Sequence, residues 1–203
     1  MHELLEWIVD FVHELGYTGI FIMTFIESSF VPIPAEVTMI PAGYLVQQGY
    51  MNGWLVMFWA TLGAIGGSLF NYWVAAHYGR ILFTKYGKFF FLTEAKLAKI
   101  ESFFEEHGAI STFSGRLIPG LRHYISFPAG LAHMKLKQFI FYTGLGGGLW
   151  MLILMGIGYF IGEEKELIRP YVKSTAALVV VLLAAGISLY VWLHKRRRAR
   201  RDR

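Results

Sequence analysis

Along the 203-residue chain, long apolar stretches alternate with short polar ones, and the apolar stretches are of two kinds. Residues 53–79, 138–162 and 171–194 are nearly unbroken. Each is long enough to cross a hydrocarbon core of about 30 Å as a helix. Residues 17–50 and 109–134 are also mostly apolar, but charges, prolines and glycines interrupt them. Residues 1–16 are different again. Leu4, Ile8, Phe11 or Val12, and Leu15 recur at helical spacing, with Glu3, Glu6, Asp10 and Glu14 elsewhere. That pattern predicts an amphipathic helix at a membrane interface or against a bundle. Residues 80–107 are polar, and EAKLAKIESFFEEHG reads as a surface helix ended by Gly108.

The two interrupted segments resemble each other. The first runs through Pro32 and Pro34 to Pro41-Ala42-Gly43; the second runs through Pro119 and Gly120 to Pro128-Ala129-Gly130. Each leads, after a methionine and a polar patch, into a span with G-x-x-x-G spacing, Gly63 to Gly67 and Gly144 to Gly148. Small residues so spaced let helices approach closely, and the same faces would allow a homodimer. A repeated unit of this kind predicts two halves around a site near the membrane midplane.

Charge decides the topology. No Lys or Arg occurs before Arg80, and seven of the 19 lie in the last nine residues, 195–203. Directly after an apolar span, such a tail fits the cytoplasmic face of a membrane better than nucleic acid. Three spans then put the N-terminus outside and Arg80, Lys85, Lys88, Lys96, Lys99, Lys135 and Lys137 inside. This holds only if residues 17–50 and 109–134 each enter and leave on one side, as re-entrant hairpins from opposite faces. The expected architecture is an all-α integral membrane protein, a helical bundle with two opposed re-entrant hairpins in an inverted repeat. It divides into an amphipathic helix (1–16), a membrane domain (17–162), a third span (171–194) and a basic cytoplasmic tail (195–203). The opening MHELLEWIVDFVHELG is acidic and lacks the basic start of a cleavable signal. At 55% hydrophobic residues the composition is too apolar for an ordinary soluble domain, and the absence of cysteine removes thiol chemistry.

Four ionisable side chains fall inside the interrupted segments: Glu27 and Glu36 in the first, Arg116 and Arg122 in the second. Charges at membrane depth are costly and point to a functional cavity with the partners facing one another. The plainer alternative is a set of salt bridges holding the hairpins together. Guanidinium groups match phosphate oxygens, so the arginines suit a lipid headgroup phosphate. The glutamates are candidates for binding protons, in a balance that phosphate on the arginines would tip. Asn71, Tyr72 and His123 are possible accessories, while His77 and His133 read as packing residues. Trp54, Trp59, Trp73 and Trp150 read as interfacial or lipid-facing belts. No H-E-x-x-H, glycine-rich phosphate loop or G-x-S-x-G is present, and neither metal nor cofactor is expected. PAGLAH at 128–133 faintly echoes an element of membrane lipid phosphatases, but KELIRP has the wrong spacing for their basic element. A structural membrane factor is the remaining alternative, and it leaves the four charges unexplained.

FIESSFVPIPAEVTMIPAG and GRLIPGLRHYISFPAGLAHM, with the glycine-rich span after each, resemble the DedA family of integral membrane proteins, the SNARE-associated or VTT-domain group. The resemblance covers residues 15–162. It implies opposed re-entrant hairpins in a small bundle and lipid translocation without chemistry on the lipid. Bacterial members are linked to carrying undecaprenyl phosphate or phosphatidylethanolamine across the cytoplasmic membrane, often with dependence on proton motive force. The family's essential acids fall on Glu27 and Glu36 and its paired arginines on Arg116 and Arg122; the proline and glycine positions of the hairpins are Pro32, Pro34, Pro41, Gly43, Pro119, Gly120, Pro128 and Gly130. One departure is Ala35-Glu36, where some members have a glycine-aspartate pair. The expected partners are a membrane phospholipid or polyprenyl phosphate and protons, with no nucleic acid.

Overall fold

The computed structural model describes residues 2–29, 31, 34–86, 94–118, 120–161, 177, 178 and 181. They form α1 (His2–Ser28), α2 (Glu36–Gln47), α3 (Gly53–Tyr86), α4 (Glu94–Leu117), α5 (Ser126–Leu131) and α6 (Leu136–Ile161). No strand occurs among the described residues. Most of the third span expected at 171–194, the tail at 195–203, and Pro32 and Pro119 lie outside them.

α1 is two helical pieces joined at Gly16, whose φ of 55° and ψ of −130° suit a residue without a Cβ. The apolar piece, residues 17–28, ends at a break and the chain resumes helix at Glu36. The second interrupted segment follows the same course. α4 ends at Leu117, a turn containing Gly120 (φ 86°) follows, and α5 begins at Ser126. Pro34 lies in the first break, whereas Pro41 and Pro128 lie within α2 and α5. Pro128 is in the first turn of α5, where no backbone N–H is needed. Pro41 removes one intrahelical bond of α2 without ending the helix.

The packing repeats with the chain. α1 packs on α3 and α4 on α6; α2 packs on α6 and α5 on α3. Exchanging α1-α2-α3 for α4-α5-α6 therefore returns these four contacts, so each short helix is held by the long helix of the other half. The two Pro-Ala-Gly motifs make those crossings. A side chain at Gly43 would run into the Met155 carbonyl of α6, and one at Gly130 into the Tyr72 carbonyl of α3. The close backbone approach explains why glycine ends both motifs.

Three expectations change. Gly108 does not end a surface helix: α4 runs through it to Leu117. A Cβ there would lie 3.3 Å from the Met134 sulfur, so the glycine makes room for the chain beyond α5. The G-x-x-x-G faces are occupied inside the chain rather than free for a second copy. Gly63 and Gly67 receive the Phe21 and Phe25 backbone of α1, and Gly144 and Gly148 face Ile65 and Thr61 of α3. Trp150 is not in a belt; at 2% exposure it is among the largest fully buried side chains.

One apolar cluster gathers Ile20, Met39, Val56, Leu117, Trp150 and Leu154 from five helices, and a smaller one joins Phe104, Ala129, Met134 and Phe139. Gly53–Gly79 and Leu136–Phe160 are long and apolar enough to cross a membrane, with mean hydropathies of 1.5 and 1.7. Leu62, Phe70, Phe141, Leu145, Leu149 and Leu152 stay exposed on those two helices. That is the outer surface expected of helices in lipid.

Candidate phosphate-binding site

The first break in the chain delivers an acid and the second delivers two bases to the same point. Glu27 stands in the last turn of α1, Arg116 in the last turn of α4 and Arg122 in the turn leading to α5. Their exposures are 2%, 4% and 8%, so all three are buried among helices. Such burial is tolerated only when the charges find partners.

Arg122 finds Glu27. Its Nη2 lies 3.0 Å from Glu27 Oε1, an ion pair that ties the first break to the second. The Arg122 guanidinium carbon also sits 5.9 Å from the ring centre of Trp150, a cation–π distance. His123 completes this arm. Arg122 Nε donates to His123 Nε2 at 3.4 Å, which leaves His123 Nδ1, 2.9 Å from the Glu27 carbonyl oxygen, as the donor to it. The ring therefore holds the Arg122 side chain and the Glu27 backbone together.

Arg116 is held differently. Its Nη2 donates to Ser68 Oγ of α3 and, at 2.7 Å, to Ser126 Oγ of α5. Ser68 in turn donates to the Ala64 carbonyl. The guanidinium thus bridges a long helix and the opposite short helix, with its Nε unpartnered among the described residues. Asn71, one turn beyond Ser68, donates to the Ser28 carbonyl at 3.2 Å and fixes the end of α1 against α3.

Between these groups lies a cavity of about 10 Å³, with Glu27, Arg116, Arg122, His123, Gly147 and Trp150 in its wall. That is space for about one water molecule. Four buried polar atoms at or near it have no partner among the described residues: Glu27 Oε2, Asn71 Oδ1, Arg116 Nε and Trp150 Nε1. Two cationic side chains, one carboxylate and unspent donors surround a small void, and the carboxylate occupies one of the two cations.

Of the residues singled out in the sequence, Glu27, Arg116, Arg122 and His123 meet, and Asn71 braces them from behind. Tyr72 stands apart; its hydroxyl donates to the Met134 carbonyl at 2.6 Å and its ring packs on Phe139. Glu36 is half-buried at the start of α2, where a carboxylate favours the helix N-terminus. It is outside the cavity wall but near enough for its charge to act on Glu27 and His123. Ser68, Ser126, Gly147 and Trp150 were not foreseen. Ser68 shares a helical face with Asn71, a signal that was available in an apolar span. Ser126 carried none.

Among known proteins, undecaprenyl phosphate transporter A of Bacillus subtilis (strain 168) is 29% identical over 194 residues, 96% of this chain and 94% of that protein. An alkaline phosphatase-like protein of Lactococcus lactis subsp. cremoris (strain MG1363) is 31% identical over 195 residues, 92% of this chain and 91% of that protein. Protein DedA of Escherichia coli (strain K12) is 27% identical over 217 residues, 98% of each chain. No solved structure matches the chain. The VTT domain matches residues 33–160, well over half of the sequence, and the chain belongs to the VTT-domain, or DedA, family of membrane proteins.

Proposed function

We propose that this protein carries a phosphate-bearing lipid from one leaflet of a bacterial cytoplasmic membrane to the other, and that a proton travels with it. The observation that carries the reading is the buried Glu27–Arg122 pair at 3.0 Å, beside Arg116, in a cavity with space for about one water. A phosphate group needs more room and a free guanidinium. It therefore enters only by displacing Glu27 from Arg122. A carboxylate stripped of its partner in a buried site is strongly disfavoured, so Glu27 takes up a proton as phosphate arrives. Phosphate and carboxylate compete for one cation, and that competition couples the two loads. Glu36 is the second proton-binding candidate, placed to act on Glu27 through its charge.

The exchange symmetry of the two halves supports a site reached alternately from either side. In this reading residues 17–50 and 109–134 are re-entrant hairpins from opposite faces, and 53–79, 138–162 and 171–194 are the full spans. The Lys/Arg-free N-terminal part lies outside and the tail at 195–203 inside. The exposed apolar flanks of α3 and α6 let the lipid's tails stay in the bilayer while its headgroup crosses.

The name of the Bacillus relative favours a polyprenyl phosphate as cargo, with phosphatidylethanolamine the alternative. The name of the Lactococcus relative favours a second reading, hydrolysis of a lipid phosphate. Reconstituted vesicles separate the three. Undecaprenyl phosphate changing leaflets without release of inorganic phosphate supports carriage of a polyprenyl phosphate. Movement of phosphatidylethanolamine alone reassigns the cargo. Phosphate release makes the protein an enzyme.

A further inference from the structure

Trp150 is out of character for its sequence. A tryptophan within an apolar spanning helix belongs at the membrane interface, where its N–H can reach water. Here it is 2% exposed, and its Nε1 is buried with no partner among the described residues. Buried indole N–H groups nearly always find an acceptor, and one that does not calls for a reason.

The surroundings narrow the reason. An indole N–H can only donate, so what completes it must bring an acceptor. Arg116 Nε, in the same wall, is a second unpartnered donor. Glu27 Oε2 is an acceptor left over in that wall, yet it bonds to neither. Gly147, one turn before Trp150 on α6, also lines the cavity, and a Cβ added there would meet nothing within 4 Å. The helix thus leaves space beside the indole where a larger side chain would have taken it. The Arg122 guanidinium lies at the ring.

Resting on the reading of this cavity as a phosphate site, we propose that Trp150 is a third phosphate ligand, its indole N–H donating to an oxygen of the phosphate held by Arg122 and Arg116. The indole is neutral, so it adds direction without adding a third cation. Its ring meanwhile keeps Arg122 in place when Glu27 has let go.

The test is binding of inorganic phosphate and of hexyl phosphate to the purified full chain in detergent, by calorimetry, with thermal unfolding measured alongside. Trp150→Phe keeps an aromatic ring and removes the N–H. It is expected to weaken both ligands by roughly tenfold to a hundredfold, the range for a hydrogen bond to a charged group. A purely structural tryptophan would lower the unfolding temperature and leave affinity unchanged, and that result overturns the inference. Binding lost in Arg122→Gln but normal in Trp150→Phe overturns the indole's role alone. No binding by the native chain overturns the phosphate site as well. Should Trp150→Phe fail to fold, the native chain still answers. One of its six indole N–H resonances should move downfield with phosphate, and none should in Arg122→Gln. Six unmoved resonances contradict the proposal.

Discussion

The Arg122 guanidinium and the Glu27 carboxylate, 95 positions apart in the sequence, meet 3.0 Å apart in the buried centre of the bundle. Neither is near its partner in sequence, and each is delivered by a break in a helix. Removing either one strands the other. Arg122→Gln and Glu27→Gln are each expected to destabilise the fold, by up to about 3–5 kcal/mol. The double variant should be milder than the sum of the two. Thermal unfolding of the four proteins in one detergent measures the coupling; additive effects would mean that the pair contributes nothing.

Arg116 is expected to act on both fold and cargo. Ser68→Ala and Ser126→Ala each remove one acceptor of its guanidinium and should cost about 1–3 kcal/mol. Arg116→Lys keeps the charge but replaces the planar guanidinium, whose donors match phosphate oxygens, with a point charge, and should lose more transport than stability. Unfolding curves and vesicle transport of the three variants check this.

Gly147→Ala should move stability and binding in opposite directions. Its Cβ meets nothing within 4 Å, so alanine should gain about 1 kcal/mol of helix propensity. The same methyl projects toward the phosphate's space, so phosphate binding should weaken. A variant that is both more stable and equally tight in calorimetry would move the phosphate away from α6.

Gly43→Ala and Gly130→Ala probe the two crossings that hold each short helix. Both substitutions drive a Cβ into a backbone carbonyl, of Met155 and of Tyr72 respectively. Overpacking of this kind costs about 1–3 kcal/mol or more. The two losses should be alike if the halves are equivalent. Thermal unfolding that drops for one and not for the other would break the equivalence.

The charged core of this site could be read from the chain because charge is so conspicuous there. Glu27, Arg116 and Arg122 interrupt apolar runs, and the only economical explanation is that they meet. The matching Pro-Ala-Gly motifs announced the repeat for the same reason. What stayed hidden is what neutral residues do. Trp150 carries the same letter whether it faces lipid or an arginine, and only packing decides. Gly108 has the signature of a helix end, but its partner Met134 comes from beyond the next helix. The G-x-x-x-G spacing of α3 gives closeness without naming the neighbour, which is α1 of the same chain. Tyr72 and Asn71 are adjacent in sequence, yet α3 turns them to different clusters.

The central claim is that lipid phosphate and Glu27 compete for Arg122. Transport of undecaprenyl phosphate between leaflets of proteoliposomes, with and without a pH gradient, tests it in the native chain, Glu27→Gln and Arg122→Gln. The account predicts that a pH gradient drives transport by the native chain. Glu27→Gln should still move lipid, and its remaining pH response should be that of the phosphate alone. Arg122→Gln, shown to be folded, should not move lipid. Undiminished transport by folded Arg122→Gln, or a gradient response in Glu27→Gln equal to that of the native chain, would contradict it.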